Sequence, residues 1–161
     1  AAVALGHPLA ELTIGYELGQ RGVVAAGAGH FATALTALGT RIPRADLETV
    51  FIGSYGGAAG RAKAAATLGR HLDDEYTPTL LLMAGEPERS FAMFEHNRSG
   101  LSDAYYDWLW QTEDWSRAAR RHPAFQGFAK RMGLVAYWQQ HRWPDLCQPA
   151  PKLGPDAFTC K

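Results

Sequence analysis

Charge of one sign is what this sequence lacks most. Lys and Arg number 16 and Asp and Glu 16 over 161 residues, so no bulk attraction draws the chain to nucleic acid or anionic lipid. Long apolar runs are missing too. No stretch approaches the roughly 18–20 residues that span a bilayer. Period-two alternation and β-branched runs are scarce, which leaves little material for strands. Cysteine is confined to Cys147 and Cys160, both in the tail. The chain opens AAVALGHPLAEL, without an initiator Met, a basic leader or a cleavage pattern. It reads as an excised part of a longer polypeptide.

Motifs for chemistry are also thin. GVVAAGAGHF (22–31) and GSYGGAAG (53–60) suggest phosphate loops, but neither follows a strand or continues into Gly-Lys-Ser/Thr. Both read better as glycines for helix packing. Ser54 faintly resembles a nucleophile elbow, yet Ile52 stands where the first Gly belongs. It reads as a helix-surface serine. His30, His71, His96, His122 and His141 form no i, i+4 metal pair, although a histidine titrates near pH 6.5 and could sense pH. The basic cluster Arg117, Arg120, Arg121, Lys130 and Arg131 sits near Asp103, Asp107, Glu113 and Asp114, the pattern of a solvated helix face with internal ion pairs. Asn97-Arg98-Ser99 fits a glycosylation sequon, a pattern too common to use. The expectation is therefore no catalytic residues, no metal, no cofactor and no enzyme activity.

What is present is helix after helix. Leu5, Leu9, Leu12 and Tyr16 fall at helical spacing over 3–20, with a stop at Gln20-Arg21-Gly22. Further helices are expected at 24–38, 45–55, 58–72, 76–84 and 86–97. Pro43, Gly56-Gly57 and Gly85-Glu86-Pro87 supply the breaks, and Asp46 stands ready to cap or charge one start. Shorter helices follow at 102–111, 114–121, 123–132 and 134–142, the last ended by Pro144. The fold class is all-α: tandem antiparallel helix pairs forming one domain over 1–161, with repeats in 1–100 and capping helices and tail in 101–161. In the first pair Ile14-Gly15, Leu18, Gly22, Gly27, Phe31 and Ala34 have spacings that resemble a tetratricopeptide repeat. Gly57, Ala62 and Ala66 match in the second, and Gly85, Ser90 and Phe94 in the third. A generic Ala-rich bundle is the alternative.

Residues 128–147, FAKRMGLVAYWQQHRWPDLC, concentrate aromatic surface. A stack of repeats exposes an apolar end that a terminal element must cover. Phe125, Phe128, Met132, Tyr137, Trp138 and Trp143 have the area to do so. An aromatic ligand cage of Trp108, Trp110 and Trp115 is the competing reading. Cys147 and Cys160, local and even in number, are compatible with a disulfide that pins the tail and implies an oxidising, periplasmic compartment. Two free thiols, and a cytoplasmic placement, remain open. A zinc site with His141 fits no standard ligand spacing.

The segments RAARRHPAFQGFAKRMGLVAYWQQHRWPDLCQP (117–149), GPDAFTCK (154–161) and TLLLMAGEPERSFAMFE (79–95) resemble the C-terminal part of bacterial tetratricopeptide-containing regulatory proteins. In that family such repeats follow a winged-helix DNA-binding domain or a nucleotide cyclase domain, often across a membrane-spanning helix. The resemblance covers roughly 75–160 well and 1–74 loosely. Gly27 and Ser90 depart from it, standing where Ala is usual between paired helices. It implies a non-catalytic sensory or interaction domain that binds a protein, a peptide or a small-molecule signal in the groove between helix pairs. No direct nucleic-acid contact is expected. Glu11, Tyr16, Arg44, Tyr55, Tyr76 and Glu86 are the candidate contacts. The rivals are a domain assisting a cyclase or another enzyme, and a structural module that forms a homodimer.

Overall fold

Proline and glycine set the boundaries of nearly every helix. The structure, a computed structural model, describes residues 7–96 and 108–161, in two compact units that comprise residues 1–84 and 85–161. Nine α-helices occur among the described residues, with one small two-stranded sheet.

In the first unit, α1 (Pro8–Gln20) starts on a proline, where a missing N–H costs nothing. The ring of His7 accepts the Leu9 N–H at 3.3 Å and caps it. Then come α2 (Val24–Ala37), α3 (Arg44–Tyr55, preceded by Pro43), α4 (Gly57–Leu68) and α5 (Thr77–Met83). Each of α1 to α4 packs on the next, and α5 touches α3 and α4. Phe31, Leu35, Leu47, Phe51, Leu68 and Leu80 are fully buried between them. The α3–α4 pair closes through backbone. A Cβ added at Gly53 would lie 2.5 Å from the Gly60 carbonyl oxygen, so only glycine permits that approach. The packing glycines here are thus Gly53 and Gly60. Gly57, expected in that role, has φ +63° with open space around it and makes the turn instead. α4 ends at Leu68, before the expected 72.

In the second unit, α6 (Pro87–His96) packs on α8 (Pro123–Arg131). Phe91 stacks on Phe128 with ring centroids 4.7 Å apart. Between these helices in sequence lie a 3-10 turn at Trp108–Trp110 and α7 (Asp114–Arg121). The turn occupies the end of the helix expected at 102–111, whose earlier part lies outside the described residues, as does the sequon at 97–99. Gly133, at φ 76°, joins α8 to α9 (Leu134–Gln140). α9 stops at Gln140, before the expected 142 and well short of Pro144.

The tail adds one small hairpin to an otherwise helical chain, consistent with the all-α expectation. Residues Cys147–Pro149 (β1) and Phe158–Cys160 (β2) pair antiparallel, Cys147 opposite Cys160 and Pro149 opposite Phe158. Strands of three residues are too short to show any periodicity. Phe158 is 2% exposed, and its ring meets Phe125, Trp138 and Trp143 at 5.7, 5.5 and 5.7 Å. A β residue is the centre of the aromatic cap.

Candidate functional site

The first unit sorts its candidate contacts into three environments. Glu11 of α1 and Arg44 of α3 belong to one polar strip that crosses α2. Glu11 Oε2 lies 2.7 Å from His30 Nδ1. One residue along α2, the Gly29 carbonyl accepts from Arg44 Nη2 at 3.0 Å. The Thr33 hydroxyl accepts from Arg44 Nη1 at 3.0 Å, and Glu48 takes Arg44 Nε at 2.9 Å. The arginine spans helices because its planar fork offers several donors at once.

Tyr16 and Tyr55 belong to an aromatic cluster instead. The Tyr16 ring lies 5.9 Å from Phe31 and 6.4 Å from Phe51, and Tyr55 lies 5.0 Å from Phe51. The hydroxyl of Tyr16 reaches Met83 Sδ at 3.9 Å. Tyr55 lies over Gly19, where a Cβ would stand 2.5 Å from its ring. Tyr76 is buried, and its hydroxyl donates to the Leu38 carbonyl at 3.0 Å. Beside it, Asp74 is 4% exposed. Its carboxylate accepts the Tyr76 N–H at 3.0 Å, the Thr40 hydroxyl at 3.1 Å and the Arg41 N–H at 2.7 Å. That buried carboxylate ties the loop before α3 to the loop before α5. Nothing in the sequence around Asp74 marks it apart from surface acids.

A second carboxylate joins the two ends of the α3–α4 pair. Asp46, in the first turn of α3, accepts from His71 Nε2 at 2.7 Å and from Arg70 Nη2 at 3.0 Å. The His71 hydrogen bond, reinforced by Arg70 and opposed by burial, holds the Asp46 carboxyl below the ordinary aspartate range. Ser54 donates to the Val50 carbonyl at 2.8 Å, as a helical serine does.

In the second unit, Glu86 approaches Arg89 at 4.0 Å. Trp108 and Trp115 pair with centroids 6.0 Å apart. Trp110 packs on Trp138 at 6.0 Å and on Phe125 at 6.4 Å, within the cap. Arg120, expected on a solvated face, is 4% exposed. It donates to the carbonyls of Leu109, Gln111 and Lys161 and to the Ser116 hydroxyl. Burial lowers its pKa, and neighbouring Arg117 and Arg121 add to that. Three others of the basic cluster are paired outside: Arg117 with Asp114, Lys130 with Asp156 and Arg131 with Glu95. Lys130 and Gln139 hold the Asp156 carboxyl low, and the Glu95 hydrogen bond raises Arg131.

Of the remaining histidines, His122 caps α8 by accepting the Ala124 N–H, and the His141 ring lies tilted against Tyr137 at 4.4 Å. Among the described residues no cluster of His, Cys, Asp and Glu could hold a metal ion, and no helix is long and apolar enough to cross a membrane. Cys147 and Cys160 are joined in a disulfide, flanked by a cleft of about 290 Å³ lined by residues 142–148 and 159–161. Compared with protein-family models, with curated proteins and with solved structures, the chain matches none.

Proposed function

We propose that this chain is a non-catalytic interaction domain of a bacterial regulator, built on tetratricopeptide-like helix pairs, and that it reads a protein or peptide partner. The observation that carries the reading is the polar strip over α1, α2 and α3. Consecutive helices contribute Glu11, His30, Arg44 and Glu48 at hydrogen-bond distance. Their packing side is taken up by Phe31 and Phe51, which anchor Tyr16 and Tyr55. Side chains fixed on rigid helices and partly open to water suit recognition by charge and hydrogen bonding. Arg44 is the strongest anchor, because a guanidinium can exchange its Glu48 contact for a partner's carboxylate. Partner binding would bias how the helix pairs pack and pass that bias to an output domain.

Selection of peptides from a random library on the intact chain tests this. Peptides that bind wild type are expected to lose at least about tenfold in affinity on Arg44→Ala, and less on Glu11→Gln. Trp115→Phe, in the other unit, should leave binding unchanged. Peptides indifferent to both Arg44→Ala and Glu11→Gln would refute the assignment.

A further inference from the structure

We propose that the Cys147–Cys160 disulfide is a latch on the aromatic cap, opened by a dithiol that enters the flanking cleft.

The geometry gives the two sulfurs unequal roles. Cys147 is 6% exposed, whereas Cys160 is only partly buried; both line the cleft. Attack therefore falls on Cys160. Lys161, beside it, is an exposed cation at the cleft and favours approach of a thiolate. Arg142, also in the lining, pairs with Asp145 at 2.8 Å, and Lys161 adds a second positive charge at the cleft. A thiolate of the dithiol bonds to Cys160 Sγ, and the S–S bond breaks with Cys147 leaving as thiolate. The second thiol of the dithiol, once deprotonated, attacks its own sulfur in that mixed disulfide and releases Cys160 as thiolate. The protein gains two electrons, and the dithiol becomes a disulfide.

What the latch restrains is β2. Without it, two three-residue strands form an isolated pair of marginal stability. β2 then stays docked through the Phe158 ring, the Phe158 carbonyl on Gln126 at 3.0 Å, the Lys161 carbonyl on Arg120 at 3.2 Å and, just before the strand, the Asp156 ion pair with Lys130 at 2.6 Å. Removing a cross-link between residues 13 apart in sequence lowers the docked-to-open ratio roughly a hundredfold. Opening withdraws Phe158 from Phe125, Trp138 and Trp143 and uncovers the cap. This inference does not depend on the polar strip and stands or falls separately from it.

Native-state reduction of the intact chain with dithiothreitol tests it, followed by alkylation mass and amide hydrogen exchange. The amides of Ala150 and Lys161 bond to Ala157 and Leu146 across the hairpin. On reduction their exchange is expected to quicken roughly a hundredfold, while amides of α1 to α4 keep their protection. Reduction that proceeds only as fast as all amides exchange together would show that the disulfide is reached by global unfolding, and would overturn the latch. So would hairpin amides in the reduced chain that keep their oxidised protection. Cys147→Ser/Cys160→Ser should reproduce the reduced pattern. If that variant fails to fold, reduction of folded wild type still decides.

Discussion

Gly27 on α2 rests against Gly15 on α1 so closely that a Cβ at Gly27 would stand 2.7 Å from the Gly15 carbonyl oxygen. Backbone cannot yield as a flexible side chain can. Gly27→Ala is therefore expected to destabilise the chain by about 1–3 kcal/mol in urea unfolding. Gly29, two positions on, is the control. The nearest atom to a Cβ there is the tip of Arg44 at 3.7 Å, so Gly29→Ala should be neutral or stabilising by up to about 1 kcal/mol. Equal effects at the two positions would mean that the close approach contributes nothing.

Asp46 makes stability depend on pH at the acid end. Its folded pKa is depressed, first by the His71 hydrogen bond and then by Arg70. Folding thus favours the carboxylate. The contribution is fully present above the unfolded value of about 3.9 and disappears as pH falls through the lower folded value. Asp46→Asn should lower the urea midpoint at neutral pH, and the gap to wild type should close below about pH 4. A gap that is the same at both pH values would rule this out.

Arg120 should be costly to remove. Arg120→Met removes the guanidinium donor from the carbonyls of Gln111, Lys161 and Leu109, of which Leu109 keeps the Ser116 hydroxyl at 3.0 Å. A loss of roughly 2–4 kcal/mol is expected, read by thermal or urea unfolding. Arg117→Met, on an exposed side chain paired with Asp114, should change stability by less than about 0.5 kcal/mol. The contrast between these neighbours separates a buried clamp from surface charge.

Phe158 carries the cap. Truncation to Ala removes a ring enclosed by three others, at a cost of about 3–5 kcal/mol. Near-ultraviolet circular dichroism should fall with it, because Trp138 and Trp143 lose a fixed neighbour. Phe158→Leu keeps the apolar volume and should retain most of the stability. An unaltered spectrum in Phe158→Ala would contradict the central place given to this ring.

Helix positions were legible wherever proline or glycine punctuates the chain. The starts at Arg44, Pro87, Pro123 and Leu134 lie within a residue of expectation, since fixed φ and left-handed turns are local properties of those residues. Burial of charge was not legible. Arg120 shares its spacing with Arg117 and Arg121, and only the tertiary placement of three carbonyls distinguishes it. Asp74 and Tyr76 behave alike: their partners Thr40, Arg41 and Leu38 are more than thirty residues away in sequence. The β hairpin escaped because its strands are shorter than any pattern window. Of the candidate contacts, Glu11 and Arg44 were chosen as polar residues on predicted inner helices. In sequence His30 reads only as a possible pH sensor and Gly29 only as a packing glycine, because the role that connects them to Glu11 and Arg44 comes from how α1, α2 and α3 lie together.

The register of the tail has a consequence for what change it tolerates. Side chains alternate between the faces of a strand, so fixing Cys160 to Cys147 also fixes the parity of Phe158, two positions earlier. An extra residue in the exposed 151–153 segment only lengthens a loop. The same insertion between Phe158 and Cys160 would turn the phenyl ring outward into water. Descendants of this sequence are thus free to vary the hairpin's span and bound to conserve the odd–even count at its end.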